Sequence, residues 1–246
     1  MLKGRTALIT GSNRGIGKAM IEEFARNGAD IVAHARSETP EFFATLEGLA
    51  SKYGVKVTPI FFDMTDSEAM KEAVRGLIST KTPVDILVNN AGIAHFGLFQ
   101  MTSMAKIREV FDVNFFAQLE FTQLLLRPMM RRTNACIINM GSVMGLDLPQ
   151  GGGAYGVSKA ALMAFTQVLA AECGPLKIRV NAIAPGMVGT EMARQMGDMA
   201  EDVMIAQSAL KRLGTPDEIA KAAVFIASVQ ASYINGQVIR IDGGKA

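Results

Sequence analysis

The sequence predicts an α/β fold in which one parallel sheet is covered on both faces by helices, and three observations carry that prediction. Short apolar runs alternate with longer stretches of helical periodicity along all 246 residues. Most of the short runs are nearly continuous in apolar side chains, the pattern of parallel strands buried on both faces. A glycine-rich turn follows the first run directly, as in doubly wound sheets whose ligands lie beyond the carboxyl ends of the strands.

Seven strands are expected in order: Thr6 to Thr10, Ile31 to Ala35, Val55 to Phe62, Val84 to Val88, Ala135 to Met140, Ile178 to Ile183 and Gln237 to Ile241. Helices are expected between them over Ile16 to Asn27, Pro40 to Tyr53, Asp66 to Ser79, Met104 to Met130, Tyr155 to Cys173 and Pro216 to Ala227. Thr65-Asp66-Ser67-Glu68 has the capping-box spacing, in which a hydroxyl and a carboxylate satisfy amides at a helix start. Pro216 suits a first helical position. No repeat, low-complexity tract or shift of composition divides the chain, so residues 1–246 read as a single domain.

Composition excludes several classes of function. With 49% hydrophobic and 20% charged residues the chain can bury a substantial core and has no reason to be disordered. Its 25 basic and 23 acidic residues are spread along the chain and leave a net charge of +2, so no basic stripe points to nucleic acid. Arg131-Arg132 is the densest basic spot and reads as a solvated helix end. Cys136, Cys173, His34 and His95 show neither a disulfide framework nor metal-ligand spacing, which fits a reducing, cytoplasmic setting without a metal. The opening Met-Leu-Lys-Gly-Arg runs straight into the first apolar segment, leaving no room for a signal peptide. The uncharged stretch from Ile86 to Ala105 holds Asn89, Asn90, His95 and Gln100, too polar for a bilayer, and no membrane association is expected.

Chemistry is concentrated at the predicted strand ends. After the first strand comes Thr10-Gly11-Ser12-Asn13-Arg14-Gly15-Ile16-Gly17, spaced Gly-x3-Gly-x-Gly. Such a turn brings backbone amides and a helix N-terminus to a diphosphate, although it can also be purely structural. The second strand ends His34-Ala35-Arg36, where an acid would take the ribose 2′-hydroxyl of NAD and an Arg pairs with the 2′-phosphate of NADP. Ala35 supplies no carboxylate, while Arg36 and Arg14 supply cations, and this favours NADP(H). Asp63 and Met64 follow the third strand, and Asn89-Asn90-Ala91-Gly92 ends the fourth. Asp63 offers an acceptor for an adenine amino group and the small Ala91-Gly92 pair a surface for a ribose; turn chemistry explains these residue types equally well.

Tyr155 and Lys159 stand four residues apart on a predicted helix and so share one face. An ammonium beside a phenol favours the phenolate, which general acid–base chemistry requires. Ser142 follows the fifth strand, on the same sheet edge as the glycine turn, where its hydroxyl would polarise a carbonyl oxygen. Asn114 falls in the long fourth helix among Val113, Phe115 and Phe116; burial there would demand a partner, either a water or a backbone carbonyl.

These motifs, in this order, resemble the short-chain dehydrogenase/reductase family, and the resemblance runs from Thr10-Gly11 to Pro185-Gly186 and Asp242-Gly243-Gly244. It implies a Rossmann-type sheet of strand order 3-2-1-4-5-6-7 and accounts for the glycine spacing. It further implies Tyr155 as proton donor or acceptor, Ser142 as partner of the reacting oxygen, Lys159 as ribose anchor and modifier of the Tyr155 pKa, and Asn114 as holder of a relay water. Gly11, Ser12, Asn13, Arg14 and Ile16 would line the diphosphate and ribose, Asp63 and Met64 the adenine, Asn90 a ribose, and Val188 and Thr190 the nicotinamide carboxamide.

Gly11 to Gly17, Val84 to Ile93 and Tyr233 to Gln237 are most similar to the 3-oxoacyl-(acyl carrier protein) reductase branch, though sugar, polyol and steroid dehydrogenases share these stretches. Where carrier-binding relatives often have an Arg after the catalytic helix, this chain reads Cys173-Gly174-Pro175-Leu176-Lys177, with Lys177 a point charge only. The resemblance places a substrate lid over Met187 to Met204, whose Met187, Met192, Met196, Met199 and Met204 suit either an elongated substrate or plain core. The expected activity is NADPH-dependent reduction of a carbonyl to a secondary alcohol, with a thioester-carried substrate and acyl carrier protein as candidate partners. A steroid, sugar or polyol enzyme is the alternative, and an idle NADP-binding redox sensor a second. The family's usual homotetramer is expected through the two long helices and last strand, with Phe111, Phe115, Phe121, Leu125, Leu162, Phe165 and Leu169 as surplus apolar side chains.

Overall fold

The apolar runs form seven strands: β1 (Thr6–Ile9), β2 (Asp30–Ala35), β3 (Val57–Phe61), β4 (Ile86–Asn89), β5 (Ala135–Met140), β6 (Ile178–Pro185) and β7 (Val238–Ile241). In the computed structural model, which describes residues 1–191, 205, 206 and 208–244, they make one sheet in the order β3-β2-β1-β4-β5-β6-β7. Every neighbouring pair is parallel. Strand ends differ from expectation where a side chain or neighbour intervenes. β4 begins at Ile86 rather than Val84 because Asp85 turns its carboxylate onto the Thr6 amide, 2.8 Å away. β6 runs on to Pro185 because β7 pairs with it that far.

The helices are α1 (Gly15–Arg26), α2 (Pro40–Tyr53), α3 (Ser67–Ser79), α4 (Met104–Phe111), α5 (Ala117–Met129), α6 (Met144–Asp147), α7 (Tyr155–Cys173) and α8 (Pro216–Ala227). One face of the sheet packs on α1, α2 and α8 through Met20, Phe24, Phe42, Leu46, Ile219 and Val224. The other packs on α3, α5 and α7 through Met70, Val74, Phe121, Leu125 and Leu169. Each large side chain fully removed from water contributes about 1.5–3 kcal/mol, so these two layers supply the main driving force.

Four expectations are corrected. The Thr65–Glu68 box does not form: Asp66 caps α3 by accepting from the Ala69 amide at 3.0 Å, while Thr65 turns back to donate to Asp63 at 2.7 Å. A capping box closes instead at α8 between Thr215 and Glu218. The long helix Met104 to Met130 is three pieces, because a π-helical turn at Asp112–Phe116 inserts one extra residue between α4 and α5. Arg132 is no mere solvated end, since its guanidinium pairs with buried Asp85 at 2.7 Å. Finally, Phe121, Leu125, Leu162 and Leu169 belong to this chain's own core; the exposed apolar side chains between α4 and α7 include Met104, Phe116, Leu146, Val157 and Val168.

Both cysteines are free and buried. Among the described residues no helix is long and apolar enough to cross a membrane, and no cluster of His, Cys, Asp and Glu is arranged to hold a metal. Met192, Met196, Met199 and Met204 lie outside the described residues.

Candidate active site

Strand order reverses between β1 and β4, and a cleft opens beyond their carboxyl ends. Thr10, at the exit of β1, accepts from the amides of Asn90 and Ala91 at 2.9 Å each. The Asn90 side chain answers by donating to the carbonyls of Thr10 and Gly11 at 2.9 and 3.1 Å. Glycine is obligatory at two points of this knot. Gly11 adopts φ +63° with Ala91 3.0 Å from where a Cβ would stand, and a Cβ on Gly17 would collide with the Gly11 carbonyl and the Asn90 amide.

The Gly11 and Ser12 amides point away from the cleft, to the His34 ring at 3.1 Å and the His34 carbonyl at 2.8 Å. The amides that open α1, from Gly15 on, are therefore the ones available to a diphosphate. No side chain caps that helix and no acid stands in its first turn, whereas Thr39, Asp66, Ser103 and Thr215 cap α2, α3, α4 and α8. Thr190 lies against Gly15, its methyl 3.5 Å from a Cβ placed there, and Val188 is pinned beneath by a bridge to Gly214. Arg14 reaches over to Glu191 at 3.2 Å. Both side chains of that pair are mostly exposed, so exchanging the carboxylate for a phosphate would cost little.

At the end of β2, Ala35 is buried and Arg36 exposed. Asp63 uses one carboxylate oxygen to accept from the Thr65 amide and hydroxyl, at 2.9 and 2.7 Å. These bonds hold its carboxyl below the ordinary value; burial opposes them and nearby Arg36 adds to them. Met64 is buried alongside. The residues present thus fit a dinucleotide: an open helix start for the diphosphate, and cations without a competing acid at the second strand.

Ser142, Tyr155 and Lys159 converge beyond β5. The Ser142 hydroxyl accepts from the Met144 amide at 3.1 Å and stands close enough to the Tyr155 phenol to favour its ionised form. Lys159 sits one turn along α7, its ammonium 6.0 Å from the Tyr155 ring centre and donating to the Met140 carbonyl at 2.8 Å. Burial pulls the Lys159 ammonium down to about 8. Burial also pushes the Tyr155 phenol above its ordinary value, against the opposing influence of Ser142. In the chain by itself desolvation thus governs the phenol, and Lys159 is engaged with the main chain.

Asn114 is fully buried in the π turn, and its side chain bonds to the peptide groups of Ile93. Its amide donates to the Ile93 carbonyl and accepts from the Ile93 amide, both at 2.9 Å, clasping the segment after β4. It also donates to Ser158 at 3.0 Å, and Ser158 donates to the Tyr155 carbonyl at 2.7 Å. A Cβ on Gly92 would stand 3.0 Å from Asn114 and 3.4 Å from the Lys159 ammonium, so glycine keeps this space open. Two residues were not singled out from sequence. Ser158 was detectable as a polar residue on the buried face of α7; Phe96, whose ring meets Tyr155 edge-on at 5.5 Å, left no signal.

Residues 11–246 match the family described as Enoyl-(Acyl carrier protein) reductase. The chain is 36% identical to the 3-oxoacyl-(acyl carrier protein) reductase FabG of Aquifex aeolicus, over 99% of this chain and 98% of that protein. A putative gluconate dehydrogenase from Agrobacterium tumefaciens superposes with a TM-score of 0.93 at 32% identity, covering 99% of this chain and 96% of the other. L-Sorbose reductase from Gluconobacter frateurii, solved with NADPH and L-sorbose, gives 0.92 at 32% identity, with 99% and 97% covered. The chain belongs to the short-chain dehydrogenase/reductase family. It is an oxidoreductase of that family.

Lys159 yields a stability prediction. Its pKa is about 8 when folded and near 10.5 when exposed, so below pH 8 the folded chain carries a buried ammonium that it would rather release. That costs about 3 kcal/mol at pH 7, since each pKa unit is about 1.4 kcal/mol. Lys159→Met removes this cost but strands the Met140 carbonyl, and is expected to raise stability at pH 7 by about 1–2 kcal/mol. The gain should shrink as pH rises past 8 and be gone above about pH 10.5, where the wild-type amine becomes neutral in both states. Denaturant unfolding at the two pH values checks this, and a less stable variant at pH 7 would refute it.

Proposed function

We propose that this chain reduces a carbonyl to a secondary alcohol with NADPH. The observation that carries the reading is the convergence of Ser142 and the buried Tyr155 phenol beyond the carboxyl end of β5, with a buried ammonium one helical turn away. NADPH, when bound, supplies a hydride to the carbonyl carbon. Ser142 and Tyr155 hold the carbonyl oxygen, and Tyr155 protonates it as negative charge develops. A raised phenol pKa suits a group that must arrive protonated. Lys159 would anchor the nicotinamide ribose and, once drawn to it, favour the phenolate left behind. Asn114 has its side chain committed to Ile93 and Ser158, so a relay water would be held by its main chain.

The choice of NADP(H) is supported by Arg14 and Arg36, by the absence of an acid at Ala35, and by the NADPH bound in the L-sorbose reductase relative. Identity to a 3-oxoacyl-(acyl carrier protein) reductase supports a 3-oxoacyl thioester as substrate and acyl carrier protein as partner. Likeness to the putative gluconate dehydrogenase and L-sorbose reductase supports a second reading, a sugar or polyol substrate. We place the protein in the cytoplasm, in keeping with its two unpaired, buried thiols. We also infer a homotetramer, to whose interface the exposed apolar side chains of Met104, Phe116, Val157 and Val168 are available.

Three outcomes are expected. Steady-state kinetics should favour NADPH over NADH, and Arg36→Asp should erode or reverse the preference by replacing a phosphate partner with a repulsive charge; equal use of NADH by the unmodified protein would refute the cofactor assignment. On the best acceptor among acetoacetyl thioesters, sugars, polyols and steroid ketones, Tyr155→Phe should lower turnover by roughly 10²–10⁴ while NADPH binding survives. Near-normal activity would mean the proton comes from elsewhere. Light scattering at micromolar concentration should report a tetramer, and a stable monomer would contradict it.

A further inference from the structure

The ends of β1, β2 and β3 carry all the residues assigned above to the adenosine half of the cofactor, and one buried side chain joins the three. His34, the fifth residue of the six in β2, is 2% exposed. Its Nδ1 accepts from the Gly11 amide at 3.1 Å. Because Nδ1 accepts, the ring proton is on Nε2, which donates to the Phe62 carbonyl at 2.9 Å. The His34 carbonyl in turn accepts from the Ser12 amide at 2.8 Å and the Ser12 hydroxyl at 3.0 Å. The ring lies against Phe62, centres 4.2 Å apart. One residue thus ties the glycine turn to β2 two positions before Arg36, and to the residue preceding Asp63.

We propose that His34 is a positioning residue for the dinucleotide, which acts through the Gly11 amide to set the glycine turn against Arg36 and Asp63. The geometry gives the reason. Main-chain pairing of β1 with β2 ends at Ile9 and Ala33, so the Gly11 amide leaves the ladder just where the chain turns into its left-handed conformation. An amide facing the interior without an acceptor is costly, and a turn left so would shift to find one. An apolar side chain at position 34, the ordinary content of a buried strand, has nothing to offer it. The imidazole supplies the acceptor from the adjacent strand and keeps its other nitrogen satisfied on β3. Only the neutral ring can do this. The Asp63 carboxylate favours protonation, but burial outweighs it and brings the imidazole down to about 4, so the ring is neutral throughout the working range.

This inference rests on the proposed use of NADPH, and the test separates the two. In His34→Asn the side-chain oxygen can replace Nδ1 as acceptor for Gly11 but nothing reaches Phe62. In His34→Gln the amide nitrogen can replace Nε2 as donor to Phe62 but Gly11 loses its acceptor; His34→Leu removes both. NADPH binding, followed by its fluorescence, should weaken at least tenfold in His34→Gln and His34→Leu and by less than threefold in His34→Asn. Adenosine 2′,5′-bisphosphate, which lacks the nicotinamide, should show the same order. The KM for NADPH should rise in parallel while kcat changes little. Hydrogen exchange at the Gly11 amide should be slow in the wild type and His34→Asn and fast in His34→Gln. If His34→Leu does not fold, the Asn and Gln pair decides. Equal affinities in Asn and Gln, or a Gly11 amide that stays protected in Gln, would overturn the positioning role. A wild-type protein that binds neither NADPH nor the bisphosphate would overturn the proposed cofactor instead.

Discussion

The architecture of the site depends on backbone contact where β1, β4 and α1 meet. No side chain larger than hydrogen fits at Gly17, since a Cβ there would overlap the Gly11 carbonyl and the Asn90 amide. Helix α1 can therefore start directly on top of the crossover and aim its unpaired amides into the cleft. The same closeness lets the Thr10 hydroxyl serve both Asn90 and Ala91, so the exits of the two central strands are one hydrogen-bonded unit. The binding surface is main chain held in place by the Thr10 and Asn90 side chains.

Around this centre the chain accepts local costs. Lys159 holds its charge in a place that resists charge, and Tyr155 is buried as a phenol. Asn89, Asn139, Thr122 and Thr166 cross the core between sheet and helices in a relay of bonds of 2.8 to 2.9 Å, leaving the Asn89 oxygen without a partner in the chain. Such polar content lowers stability relative to an apolar core, and the two apolar layers on either face offset it. At the amino edge of the sheet, polar side chains instead tie neighbouring elements together. There Arg179 donates to the carbonyls of Ile226 and Ser228 at the end of α8, and Asp85 pairs with Arg132.

Much of this was legible in the sequence for physical reasons. Short continuous apolar runs between helical stretches fit strands covered twice, and the order of Gly11, Asn90, Ser142, Tyr155 and Lys159 put the chemistry on one edge. What remained hidden depends on partners far apart in the chain. The π turn at Asn114 adds one residue to a helix and leaves the apolar period almost unchanged, so periodicity saw one helix where there are three pieces. Asn114, Ser158 and His34 all bond to peptide groups, and a peptide group has no letter in the sequence. The capping box at Thr65 failed because Asp66, one residue later, is itself an N-cap and Thr65 has a nearer acceptor in Asp63.

The alignment of Ser142 with Tyr155 follows from the same use of bare backbone. These two residues are carried by different elements, the turn after β5 and the start of α7, and their hydroxyls must stay within bonding distance for the oxygen to be held. Helix α6 lies between them, and it meets α7 main chain to main chain: a Cβ on Gly145 would stand 2.7 Å from the Ala160 amide, and one on Gly156 2.6 Å from the Met144 carbonyl. Side chains at such a contact would allow rotamer exchange and a spread of separations, whereas backbone against backbone leaves one. Preorganised donors stabilise developing charge because they need not move when it appears. Gly145 and Gly156 therefore belong to the proposed catalytic geometry as much as to the packing, as the close contact of α6 with α7 depends on both.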